Sequence, residues 1–202
     1  MKKFAILLGL AVALLGAGEA RVVDYDSLEA RDGLVYVKDE STPFSGRAES
    51  KYENGKLKQA NAFEQGKKEG LFQLWYENGQ EQSEIPFSDG KENGLRRAWS
   101  GDGQLVLEAT YKDGKEDGMF RTWYDGGQPK SETNYSDGEK VGTVRAWYAS
   151  GQLQAEATYK DGKKDGPVHM WYENGQLKME ASYKDGKEDG LVKFWDEDGN
   201  PL

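Results

Sequence analysis

All six tryptophans of this chain lie 24 residues apart: Trp75, Trp99, Trp123, Trp147, Trp171 and Trp195. Three glycine columns keep the same beat, from Gly55 to Gly199, from Gly66 to Gly186 and from Gly46 to Gly190. Together they hold 20 of the 26 glycines. No insertion breaks the period between Gly46 and Gly199. A strict period of this length is the mark of an array, in which each unit is one supersecondary element that buries its apolar side only against its neighbours. The chain must therefore be built from one unit used repeatedly.

The last complete unit shows what that unit is. "PVHMWYE" (Pro167–Glu173) is a short aromatic and apolar run, "NG" follows, and "QLKMEASYK" (Gln176–Lys184) alternates strictly. Leu177, Met179, Ala181 and Tyr183 fall on one side, with Lys178, Glu180, Ser182 and Lys184 on the other. Period 2 is strand rather than helix. Asn-Gly suits a type I′ turn, whose two central residues need positive φ, and Asp185-Gly186 supplies a second turn. With Asn174 and Gly175 as the two loop residues, Tyr172 faces Leu177, Met170 faces Met179, and His169 faces Glu180. Moved up the array, the same rule sets Arg145 opposite Glu156, Arg121 opposite Glu132, and Arg97 opposite Glu108. Opposite charges directly across a strand pair stabilise by about 0.2–1 kcal/mol. A one-residue slip would separate them onto opposite faces, so the charge pattern supports the register.

A lone hairpin is marginal, so successive units must pair edge to edge. The expected fold is all-β: an array of 24-residue β-hairpin repeats forming one long, twisted antiparallel meander sheet. Val168, Met170, Tyr172, Leu177, Met179, Ala181, Tyr183 and their equivalents form the expected core side. The other face carries the tryptophan column, flanked by the Arg/His–Glu pairs and by Lys130, Gln154 and Lys178. The glycine column from Gly46 to Gly190 is expected to allow a bulge or close packing beneath a neighbouring tyrosine. Residues 21–46 read as a lead-in and cap with one strand-like run before a Pro-Phe entry. Residues 47–190 read as six hairpin units, and 191–202 as a truncated unit that caps the end.

Residues 1–20 belong to a different kind of segment. Lys2 and Lys3 precede an apolar run from Phe4 to Leu15, and the small residues of "GAGEA" follow. That order is the layout of a secretory signal peptide, with cleavage expected near Ala20. The run is too short to span a bilayer, which takes roughly 20 residues. The mature chain is therefore expected to be exported, as a periplasmic, cell-surface or secreted protein without stable membrane insertion.

Composition excludes several chemistries. There is no cysteine, and His169 is the single histidine, which removes thiolate chemistry and argues against multi-histidine metal sites. The net charge of -9 is unsuited to nucleic acid, which needs a basic face. No phosphate loop, dinucleotide fingerprint or nucleophile elbow occurs, and no single unit carries a unique reactive cluster. No enzyme activity and no cofactor are expected. The "KDGKEDG" loops gather acids, such as Asp113, Glu116 and Asp117, but interleaved lysines oppose a calcium site and no calcium-loop pattern is present. His169 occupies a column held elsewhere by arginine, which makes it a member of a structural pair.

The candidate binding surface is the tryptophan column: Trp75, Trp99, Trp123, Trp147, Trp171 and Trp195. Evenly spaced aromatics suit stacking against a sugar or a peptide. The competing expectation is a structural ladder packed beneath arginine and lysine stems. The favoured function is an exported, non-enzymatic interaction module with a protein partner; the alternatives are a cell-envelope or glycan binder and a structural surface protein.

"WYENGQLKMEASYKDGKEDG" (Trp171–Gly190) resembles the bacterial MORN-repeat variant. The stretch "GLVYVKDESTPFSGRAESKYENGKLKQANAFEQGKKEG" is similar to the opening of the YwqK-family antitoxins, which are built from such repeats. The resemblance runs from about Arg31 to the C-terminus. It implies an all-β hairpin array used for interaction, and neutralisation of a partner toxin. It supplies no catalytic residues.

Overall fold

The structure, a computed structural model, describes residues 21–202; the expected signal peptide lies outside the described residues. Seventeen strands form one sheet and two more form a separate hairpin. From Gly46–Lys51 to Leu177–Lys184, strands follow in chain order and pair antiparallel with their neighbours. A long hairpin such as Lys163–Trp171 with Leu177–Lys184 is the recurring piece. The sheet is mixed rather than wholly antiparallel, because Val22–Asp24 runs parallel to Gly46–Lys51 at the front edge.

Past the turns, the pairing follows the sequence expectation. Met170 faces Met179 and His169 faces Glu180; Arg145, Arg121 and Arg97 face Glu156, Glu132 and Glu108. The Asn-Gly turn is not of the expected type. Positive φ at both central residues, the type I′ signature, occurs at Asp-Gly, as in Asp185 (49°) and Gly186 (82°). At Asn174-Gly175 only the glycine is positive, at 88°. The Gly175 N–H donates to the Tyr172 carbonyl and the Tyr172 N–H to the Gln176 carbonyl, both at 2.9 Å. This is a three-residue loop with glycine in the left-handed position.

Asparagine serves that turn through its side chain. Asn174 Oδ1 accepts from the Gln176 N–H at 2.9 Å, and its Nδ2 donates to the Glu197 carbonyl at 2.8 Å. Leu177 consequently faces Trp171 and not Tyr172, and a register shift then restores the Met170–Met179 pair. The bulge at Lys178 cancels the extra loop residue, which is why a wrong turn type led to the right register beyond it.

The column Asn61, Ile85, Ala109, Thr133 and Ala181 is buried, on the face expected as the core side. Small or short side chains dominate this column. The largest packed cluster is at the front. Phe44, Ala48 and Phe63 pack with Val23, Tyr25, Leu28, Val35 and Val37. The lead-in therefore holds more than the one expected strand: Leu28–Arg31 and Leu34–Val37 pair about an Asp32-Gly33 turn and help cover the first unit.

Gly118 and Gly166 show what the third glycine column does. Their φ values are 124° and 122°. A Cβ there would lie 3.1 Å from Thr110 Cβ and 3.2 Å from Thr158 Cβ. The close neighbour on the preceding strand is thus a threonine, while the expected tyrosine stands directly opposite on the following strand, Tyr135 across from Gly118 and Tyr183 across from Gly166. The expected irregularity is present: Ala109 pairs with Phe120 but Tyr111 with Glu116.

Both long edges are stitched from unit to unit. On the Asp-Gly edge, the N–H groups of Gly90, Gly114, Gly138, Gly162 and Gly186 donate to carbonyls 22 residues earlier, at 2.8–3.1 Å. On the Asn-Gly edge, the hydroxyls of Tyr52, Tyr76, Tyr124, Tyr148 and Tyr172 donate to the carbonyls of Trp75, Trp99, Trp147, Trp171 and Trp195, at 2.7–3.0 Å. Ser100 stands at the equivalent position before Trp123, and its hydroxyl turns instead to Asp102 and Gln104 within its own loop.

Candidate interaction surface

Each tryptophan ends a strand, or in the last unit directly follows one, where the Asn-Gly edge begins. Trp75, Trp99, Trp123, Trp147 and Trp171 pair with Glu81, Leu105, Pro129, Leu153 and Leu177, and Trp195 with Pro201. Their backbones are fixed by this pairing and, except at Trp123, by the tyrosine hydroxyl of the preceding unit. All six side chains are partly buried.

Cation–ring contacts on this edge gather on the tyrosines. Lys58, Lys130 and Lys178 reach the rings of Tyr52, Tyr124 and Tyr172, at 5.9, 5.5 and 5.0 Å from the centroid. Lys178 and Tyr172, expected on opposite faces, therefore meet. Among the described residues no cation sits over a tryptophan ring; the closest polar ring is His169, 5.6 Å from Trp171. A rigid backbone beneath a partly exposed aromatic side chain is what a contact residue requires.

Beside this column runs a charge ladder whose extent hairpin reasoning did not reach. Arg97 pairs with Glu84 of the preceding unit as well as with Glu108 of its own hairpin. Arg121 likewise stands between Glu108 and Glu132, and Arg145 between Glu132 and Glu156. The row continues through His169, Glu180 and Lys193. Side chains choose one neighbour each: Arg145 Nε to Glu156 at 2.7 Å, Arg97 Nε to Glu108 at 3.2 Å, and Arg121 Nε to Glu132 at 3.3 Å. Glu180 takes Lys193 at 3.1 Å. His169 is therefore register-paired with Glu180 as expected, but that carboxylate is held by Lys193. Pairing between units was invisible from single hairpins; the alternating charges at a spacing of 11 and then 13 residues were the signal.

At the front of the ladder Glu84 faces Gln73 within its own hairpin and has Arg97 as its cation on one side only. Burial first, then the neighbouring Glu81 carboxylate, push its carboxyl above the usual range, against a smaller pull from Arg97.

Between Trp123 and Trp147 lies a shallow groove of about 250 Å³, bordered by Pro129, Ser131 and the Arg121–Glu132 pair. The loop acids are not gathered into any group of three or more that could hold a metal among the described residues. Asp89 and Asp137 are instead paired with Lys67 and Lys115.

A single sheet of stacked 24-residue hairpins, with an aromatic column from Trp75 and a charge ladder from Glu84 running along it, defines a β-hairpin repeat protein. The family model described as the MORN repeat variant matches residues 45–61, 68–89, 116–137, 140–161 and 164–185. These stretches make up just over half of the chain, which belongs to this family. Between the second and third matches lies the unit in which Arg96 replaces the Phe72, Phe120, Val144 or Val168 of the other units and Ser100 replaces tyrosine. No curated protein matches the chain.

Proposed function

We propose that this protein is a non-enzymatic interaction module that binds a protein partner along its tryptophan-bearing face. The carrying observation is the partly exposed aromatic column on an anchored backbone: pairing and, at five of six rungs, a tyrosine hydroxyl fix the strand ends, and among the described residues no cation sits over a tryptophan ring. Aromatic side chains with little freedom left to lose are what interfaces favour. The face repeats one chemistry rather than assembling a unique reactive group in one unit, and this supports binding over catalysis.

The basic, apolar and small-residue order of residues 1–20 supports export, with the partner met in the periplasm or beyond. In that setting the similarity to YwqK-family antitoxins supports neutralisation of a toxin that acts outside the cytoplasm. The test is affinity capture from the native envelope fraction, with the parent chain and with a Trp123→Ala/Trp147→Ala variant whose fold is verified by circular dichroism. A protein retained by the parent and lost by the variant is the expected result. Equal retention by both sinks the proposal. Fractionation of cells with an antibody to the chain tests export; recovery only in the cytoplasm excludes it.

A further inference from the structure

We propose that the tryptophan column is a seat for a basic, proline-rich segment in the polyproline II conformation, lying across the strands with one turn per repeat unit. This rests on the interaction reading above and names the partner's chemistry. Successive tryptophans stand two strands apart, which places them about 9.6 Å from one another by the usual strand spacing. Polyproline II has three residues per turn and a pitch of about 9.3 Å. The mismatch is only about 0.3 Å per rung, so the same side of such a ligand meets every tryptophan. Two turns of an α-helix cover about 10.8 Å and drift out of phase roughly four times faster. An extended strand repeats its side-chain direction every two residues, about 6.7 Å, and misses alternate rungs.

Hydrogen bonding points the same way. A polyproline II backbone makes no internal hydrogen bonds and its proline carbonyls only accept. Arg97, Arg121 and Arg145 engage their glutamates through Nε, and a guanidinium carries five N–H donors. The terminal nitrogens beside the column can serve a carbonyl of the ligand. The groove between Trp123 and Trp147, walled by one ion pair and Pro129, can take the side of one turn that faces the sheet.

Charge decides the rest of the sequence class. Two residues beyond four of the tryptophans stand Glu77, Asp125, Glu173 and Glu197, all exposed and in no ion pair among the described residues. The ladder on the other flank is compensated by its own cations. A segment with prolines over the rings and lysines or arginines toward this acidic rail complements both flanks, and the chain's net charge of -9 draws it in.

The probe is (Pro-Pro-Lys)3, which spans three rungs, so sheet twist matters little. Its control is (Gly-Ser-Lys)3, of equal length and charge. Binding to the purified full chain is read by calorimetry and tryptophan emission. The expected result is at least ten-fold tighter binding of the proline peptide. Glu77→Lys/Glu173→Lys, at exposed positions that leave the sheet intact, should weaken it at least ten-fold, and so should Trp123→Ala/Trp147→Ala. Equal binding of both peptides overturns the proposal. So does binding of a β-1,4-linked oligosaccharide in place of the peptide, or peptide affinity unchanged in both variants. A captured partner that depends on the tryptophans while (Pro-Pro-Lys)3 does not bind overturns this proposal alone. A captured partner indifferent to them overturns the interaction reading as well.

Discussion

Glu84 is the worst-placed member of the charge ladder. A carboxyl raised in the folded state holds its proton more tightly folded than unfolded, so the stability it contributes is present in acid and is lost as pH rises through the folded value. At neutral pH Glu84 is a burden that Glu84→Gln removes. The variant should show a higher urea midpoint than the parent at pH 7, and the gap should close in acid. A lower midpoint at pH 7 would mean that the Arg97 contact outweighs burial. Glycine offers a second test at this scale. Gly142 has φ 70° and nothing within 4 Å of its missing Cβ, whereas Gly166 faces Thr158 Cβ at 3.2 Å. Gly142→Ala should cost about 1 kcal/mol, from backbone conformation alone. Gly166→Ala should cost about 2–3 kcal/mol in denaturant unfolding. The glycine beat was legible because it recurs; the threonine beneath it was not, since strand alternation does not say which neighbour crowds a backbone.

Between residues and the whole stands the hairpin. Its partner strands were legible from alternation and from the arginine–glutamate spacing. The type I′ geometry expected at Asn-Gly belongs to Asp-Gly, because both dipeptides suit positive φ and only the side-chain bonds of Asn174 distinguish them. The same short view hid half of the ladder, and this changes what a charge exchange should do. Glu156→Arg puts a cation between Arg145 and His169, and should lower stability by about 1 kcal/mol. Adding Arg145→Glu repairs that pair but sets a second carboxylate against Glu132. The double variant should therefore recover only part of the loss; complete recovery would show that contacts between units contribute nothing. The tyrosine stitches are tested by Tyr148→Phe, which leaves the Trp171 carbonyl without its donor. A loss of about 0.5–1.5 kcal/mol is expected from urea unfolding. The same substitution one unit earlier, at Tyr124, should cost a similar amount.

At the scale of the molecule, the array and its front cap do different work. The array buries a thin column of small side chains, and the aromatic cluster around Phe44 and Phe63 forms where the cap meets the first unit. Deleting one whole unit, residues 142–165, joins Val141 to Gly166 at an equivalent point of the beat. It should leave a folded sheet with the parent's circular dichroism shape and a reduced urea midpoint. A deletion of 12 residues from the same place should not fold, since it removes one strand and reverses the direction of all that follow. The ladder sharpens that contrast. Along Glu84, Arg97, Glu108, Arg121, Glu132, Arg145 and Glu156, charge alternates strand by strand. Removal or gain of an even number of strands keeps every acid beside a base; an odd number sets like upon like at the junction. The row of charges thus works as a parity check on the chain's own length, and duplication or loss can be tolerated only in whole hairpins.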